Sequence, residues 1–183
     1  MSQVSTVFLD LDGVINSNRS LLRANKATPT TSERDFLFEL SNTYYSGYPL
    51  SVLTHDLLGL DQECIAHLNL ILEATGAQVV VSSSWRYSHN IVGLQKLLEY
   101  RGFKGELIDS TPVNYMGVEK LRGHEIQSWL NLNPEVERFV ILDDNRGMAH
   151  LKKYLVQTDS KVGLTEADAM RAILIVKPKA VRV

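Results

Sequence analysis

The chain has 183 residues, 44% of them hydrophobic, which is enough to bury one substantial core. Its formal net charge of −2 lacks the overall basic signature of a nucleic-acid binder, and its single cysteine, Cys64, excludes an intrachain disulfide. No apolar run approaches the ~20 residues needed to span a bilayer, and Asp10 and Asp12 interrupt the N-terminal apolar run too early for a signal peptide. The expectation is a soluble protein of the reducing cytoplasm, with no membrane partner.

The first element is an apolar run, Val7-Phe8-Leu9, that reads as a buried strand and meets Asp10-Leu11-Asp12-Gly13. If the strand continues, period-two geometry points Asp10 and Asp12 the same way. Like charges at a strand tip repel, and a cation between them, usually a metal, relieves the repulsion. An ordinary Asp-Gly turn is the plainer alternative for this dipeptide alone. Residues 16 to about 57 show weak periodicity, with aromatics beside turn residues, and read as an irregular insertion with one short helix near 33–42. Placed straight after a strand tip, it forms a small cap or lid, or else a surface excursion packed on its own tyrosines, Tyr44, Tyr45 and Tyr48.

Asp61 opens a helix with Ile65, Leu68 and Leu72 on one stripe, widened by Leu70 and Ile71 and ended by Gly76. Val79-Val80-Val81 is a second strand running into Ser82-Ser83-Ser84. Ile91 to Tyr100 is helical, Leu107-Ile108 is a short strand, and Arg122-Gly123-His124-Glu125 opens a helix stopped by Asn133-Pro134. Phe139-Val140-Ile141-Leu142 is a strand ending in Asp143-Asp144. A helix over Met148–Tyr154, a strand over Leu155–Thr158 and a last helix capped by Thr165 complete the chain.

Strands alternating with helices predict an α/β fold: a mainly parallel sheet with helices on both faces, in three Rossmann-like layers. Such sheets bind ligands beyond the carboxyl ends of their strands. Asp10/Asp12, Ser82/Ser83 and Asp143/Asp144 all fall there, and phosphoryl transfer fits that inventory. Asp10 with Asp143 or Asp144 can hold Mg²⁺, a hard cation that takes oxygen ligands. A carboxylate can attack phosphorus, a second can move the proton, a serine hydroxyl can hold phosphate oxygens, and Arg122 can offset charge. Arg86, just past the second strand, is a candidate phosphate clamp, with a salt bridge as the alternative. Trp85 reads as core. Cys64 reads as core too, because nothing near it would lower its pKa. The five histidines lack metal-ligand spacing, with His124 beside Arg122 the one to inspect.

The order Asp10-Leu11-Asp12-Gly13, a strand-end serine, a helix-borne Arg122 and Asp143-Asp144 resembles the four motifs of the haloacid dehalogenase (HAD) superfamily. Val81-Ser82-Ser83-Ser84-Trp85-Arg86 is similar to the second motif of small HAD phosphatase-like domains, including those of Swiss-army-knife RNA repair proteins. Arg122–Ile126, Ile141–Asn145 and the stretch from Thr158-Asp159 to Gly163-Leu164-Thr165 resemble that group too. The resemblance covers nearly the whole chain outside residues 16 to about 57, and implies one HAD-like domain over residues 1–183. It implies that Asp10 is nucleophile and metal ligand, and that Asp12 is the acid/base residue whose backbone carbonyl also meets Mg²⁺. Ser83, or second Ser82, would bind phosphate, Arg122 would stand where the family has Lys or Arg, and Asp143 would be the third ligand, supported by Asp144. The implied activity is Mg²⁺-dependent hydrolysis of a phosphomonoester through an aspartyl-phosphate. The substrate would be a phosphorylated small molecule such as a nucleotide, or a nucleic-acid terminus. A phosphotransferase and a catalytically silent phosphate- or metal-binding module are the alternatives.

Overall fold

The structure, a computed structural model, describes residues 4–113 and 122–177. Five strands form one sheet: β1 (Val4–Leu9), β2 (Gln78–Val81), β3 (Leu107–Ser110), β4 (Val136–Asp143) and β5 (Leu155–Gln157). Their order is β3-β2-β1-β4-β5, and every pairing is parallel. The strands are apolar because both faces are covered. Val7, Leu9, Val79, Val81, Val140 and Leu142 face one apolar cluster, while Phe8, Val80 and Ile141 face the other.

Handedness explains which helix lies where. The chain steps outward through β1, β2 and β3, so the crossover helices α4 (Gln62–Thr75) and α5 (Ile91–Tyr100) share one face. It then returns past β1 to reach β4 and β5, which puts α6 (Arg122–Leu132) and a 3₁₀ segment (Ala149–Tyr154) on the opposite face. The final helix, α7 (Glu166–Val176), comes back to the first face with Ala169, Ala172 and Ile173 buried. Its start is fixed by Thr165, whose side chain accepts from the Asp168 N–H while Asp168 answers with its carboxylate. The reversal of direction falls between β1 and β4, so the crevice beyond their carboxyl ends is the topological switch point.

The sheet and helices match the predicted α/β layering, and three local readings need correction. First, residues 16 to about 57 hold more than the one short helix read near 33–42, which is Thr31–Tyr44. They form α1 (Asn18–Ala24), α2 (Thr31–Tyr44) and α3 (Leu50–Gly59). Ser17 caps α1, a Thr30–Glu33 capping box starts α2, and Pro49 precedes α3. Leu37, Leu40, Leu53 and Leu57 from these helices belong to the main apolar cluster, so the insertion is docked on the α4/α5 side of the molecule. Arg19 and Arg23 of α1 tie it down by pairing with Asp61, the residue that caps α4.

Second, Leu70 does not widen the α4 stripe, because its side chain is 44% exposed while Ile71 is fully buried. Third, β1 ends at Leu9, so Asp10 and Asp12 do not share a strand face. The carbonyl of Leu11 accepts from the N–H groups of Val14, Ile15 and Asn16, which curls the chain into a tight turn straight after Asp10. Cys64 is buried, and burial pushes its thiol up to about 11, as a core cysteine requires. The sequence also carries tail charges that read as solvated, of which Lys179 and Arg182 lie outside the described residues. No helix among the described residues is long and apolar enough to cross a membrane.

Candidate active site

Sheet register builds the site. Leu9 is level with Val81 on β2 and with Leu142 on β4, and Val81 is level with Ser110 on β3. One residue further on, Thr111, Ser82, Asp10 and Asp143 therefore form a row across four strand ends. Hydrogen bonds confirm the row: Ser82 N–H donates to the Leu9 carbonyl, Asp10 N–H to Leu142 and Thr111 N–H to Val81. Residues 29 or more positions apart in the chain are thereby brought into one row of strand ends at the switch point.

Asp10, Asp143 and Asp144 each offer a carboxylate oxygen, and these atoms lie within 4.8 Å of one another. Asp10 and Asp143 are buried, at 4% and 0% exposure, so water does little to screen their repulsion. Burial, and then the Asp10 charge, push the Asp143 carboxyl up to about 7. Burial and Asp10 raise Asp144 in the same way. Gly13 lets Asp144 in close. Its φ is +75°, and a Cβ placed there would lie 2.5 Å from an Asp144 carboxylate oxygen.

Arg122 partly balances this charge. Its Nη1 lies 2.8 Å from Asp10 Oδ1 and 3.1 Å from Asp143 Oδ2. Burial works against the guanidinium charge, but the two carboxylates outweigh it and hold its pKa above the ordinary value. The contacts are close without being aligned as hydrogen bonds, and Asp143 Oδ2 has no hydrogen-bond partner. A buried carboxylate oxygen left in that state is a fitting ligand for a hard divalent cation.

Two clamps fix the start of α6 and hence Arg122. Gly123 presses so close to the Met148 backbone that a Cβ would come within 2.2 Å of its carbonyl oxygen. Glu125, one turn on, accepts from Arg86 Nη2 at 2.6 Å in an ion pair buried on both sides. Arg86 also donates to the carbonyls of Ser82 and Ser83. This corrects the phosphate-clamp reading of Arg86. Its Nη atoms are taken by Glu125, the β2-tip carbonyls and the Tyr87 hydroxyl, so the salt-bridge alternative is the one the structure shows.

The serines separate as well. Ser83 Oγ accepts from the Trp85 N–H and caps the 3₁₀ turn Ser84–Tyr87. Ser82 Oγ is buried in the same row as Asp10 and has no hydrogen-bond partner, which moves preference from Ser83 to Ser82 as the free hydroxyl. Thr111 Oγ1, at the next strand end, is buried and unpartnered too. Sequence reading passed over Thr111 as a turn residue; its only signal was a hydroxyl straight after a strand.

Asp12 lies apart from the carboxylate cluster. Its carboxylate accepts from Trp85 Nε1 at 3.0 Å and from Asn16 Nδ2 at 2.9 Å. It still reaches solvent, yet surrounding protein raises its pKa by desolvation, against the lowering effect of the Trp85 bond. Trp85 is core, as expected, and also a positioning donor. His124 is exposed and belongs to no cluster.

An all-parallel α/β sheet with an acidic row at its switch point defines a domain of HAD type. A family model described as the HAD domain in Swiss Army Knife RNA repair proteins matches residues 6–169, and the chain belongs to that family. No curated protein and no solved structure matches it.

Proposed function

We propose that this chain is a Mg²⁺-dependent phosphomonoester hydrolase that works through an aspartyl-phosphate on Asp10. The observation that carries the reading is the Asp10–Asp143–Asp144 cluster, buried at Asp10 and Asp143, with Asp143 Oδ2 unpartnered among the described residues, beside Arg122 at the switch point. Asp10, Asp143 and Asp144 would hold the ion, and the family pattern adds the backbone carbonyl of Asp12. Bound Mg²⁺ would neutralise phosphate oxygens so that a carboxylate can approach phosphorus.

The chain's own groups do the rest. Arg122 and the free hydroxyl of Ser82 receive phosphate oxygens. An Asp10 carboxylate oxygen attacks phosphorus, the P–O ester bond breaks, and the leaving oxygen takes a proton from Asp12. Water then attacks the aspartyl-phosphate and gives its proton to Asp12, which frees inorganic phosphate and restores Asp10. The raised pKa of Asp12 suits a carboxyl that carries a proton for part of the cycle. Because the family is that of RNA repair proteins, the substrate class we favour is a nucleotide or nucleic-acid end.

The test is turnover of a generic aryl phosphate with and without Mg²⁺. The reading requires Mg²⁺-dependent hydrolysis that Asp10→Asn reduces to background. Tight Mg²⁺ binding without any turnover would instead leave a phosphate- or metal-binding module.

A further inference from the structure

The turn between α2 and α3 and the segment after β2 border an open cleft of about 510 Å³, within the range of small-molecule sites. Tyr44 and Tyr48 line it from one side, and Arg86, Tyr87 and His89 from the other. Tyr87 is 53% exposed and Tyr44 is 36% exposed, so two aromatic side chains remain open to a ligand.

Its walls are fixed in place. His89 stacks on Trp85 with centroids 4.8 Å apart, and Tyr48 meets His89 edge-on at 5.6 Å. Asp56 of α3 lies 3.3 Å from His89 Nε2. The Arg86 guanidinium lies 4.7 Å from the Tyr87 ring centre and is anchored behind by Glu125. The cleft walls are also tied to the row of strand ends by hydrogen bonds. Trp85 reaches Asp12 with its indole N–H, and Arg86 holds the carbonyls of Ser82 and Ser83.

We propose that this cleft is a nucleobase subsite, taking the base of the nucleotide whose phosphate enters the Asp10 row; it rests on the phosphohydrolase reading above. The open Tyr87 and Tyr44 rings suit stacking of any base, while the Arg86 side chain, only 4% exposed, braces Tyr87 and is not itself open to a ligand. Two open rings give room for one base, so recognition centres on one nucleotide, either free or at a chain end.

The experiment uses the full chain with two variants at exposed positions, Tyr87→Ala and Tyr44→Ala. Binding of adenosine, which carries no phosphate, is followed by NMR. Turnover is compared among adenosine 3′- and 5′-monophosphates, 3′- and 5′-phosphorylated oligonucleotides, glycerol phosphate and a phosphotyrosyl peptide. Adenosine should bind the wild-type chain and bind each variant more weakly. The ratio of kcat/KM for nucleotide to that for glycerol phosphate should fall about 10-fold in Tyr87→Ala, mostly through KM, in line with the loss of one stacking contact. A preference for mononucleotides or for oligonucleotide ends over glycerol phosphate supports the subsite, and which of the two is preferred tells a free from a terminal nucleotide. No adenosine binding, equal losses on both esters, or a preference for the phosphotyrosyl peptide would overturn it. Adenosine binding that depends on Tyr87, without turnover of any ester, would keep the subsite and remove the phosphohydrolase reading.

Discussion

The acidic row and the α1–α3 insertion are built on opposite terms. In the insertion, helix starts are capped and leucines point into the main core. At the row, buried carboxylates crowd together, Asp143 Oδ2 and Ser82 Oγ lack partners, and a glycine gives up its side chain to let Asp144 in. One region is satisfied by the fold itself. The other is left unsatisfied in a way that a cation and a phosphate would complete, and substitutions in the two should therefore act with opposite signs on stability.

The largest effect expected is on chemistry. Asp10→Asn should take turnover to background while circular dichroism and the unfolding transition stay those of a folded protein; retained activity would place the nucleophile elsewhere. Next is the insertion. Leu57 is fully buried on α3, so Leu57→Ala should cost about 2–5 kcal/mol in denaturant unfolding, with no change in Mg²⁺ response.

Asp143→Asn should do the reverse. The Asp143 carboxyl is raised to about 7 in the folded chain against about 3.9 when unfolded. Between those values the folded state holds the extra proton, so metal-free stability falls as pH rises from about 4 to about 7 and then levels. Metal binding needs the ionised form, so Mg²⁺ affinity should climb over the upper part of the same rise. In Asp143→Asn the metal-free protein should melt higher at pH 8, and both the pH slope and the Mg²⁺-induced shift should shrink. A variant that melts lower without metal would mean that the buried charge is already satisfied.

The smallest effect sharpens the link between the two regions. Trp85→Phe removes one hydrogen bond to the Asp12 carboxylate, and a bond to a charged group is worth about 1.5–3 kcal/mol. Because Asp12 still reaches solvent, the stability loss should fall below that range, while kcat drops more than KM changes. A fall in stability alone would make Trp85 a packing residue.

Much of this was legible in the sequence where chemistry and periodicity coincided. Three apolar strands each ended in Asp or Ser, and parallel register carried those ends to one edge. Thr165 and Gly76 marked helix ends through local geometry alone. The insertion was legible only in part: the short helix read near 33–42 is α2, while α1 has only 7 residues and the buried leucines of α3, Leu53 and Leu57, span a single turn. The fate of Arg86 was hidden too, since its partner Glu125 lies 39 positions away on another element. The shared strand face of Asp10 and Asp12 held only if β1 ran on, and the Leu11 carbonyl turns the chain at once.

The most direct test of the central claim is to follow the phosphoryl group. The Asp12→Asn variant, slowed in the second step, is quenched in mid-turnover of a radiolabelled aryl phosphate, with and without Mg²⁺, and its peptides are mapped. The expected result is label on the peptide that carries Asp10, present only with the metal. Label on a different residue, or on Asp10 without any divalent cation, would contradict a metal-assisted phosphoryl transfer to that carboxylate.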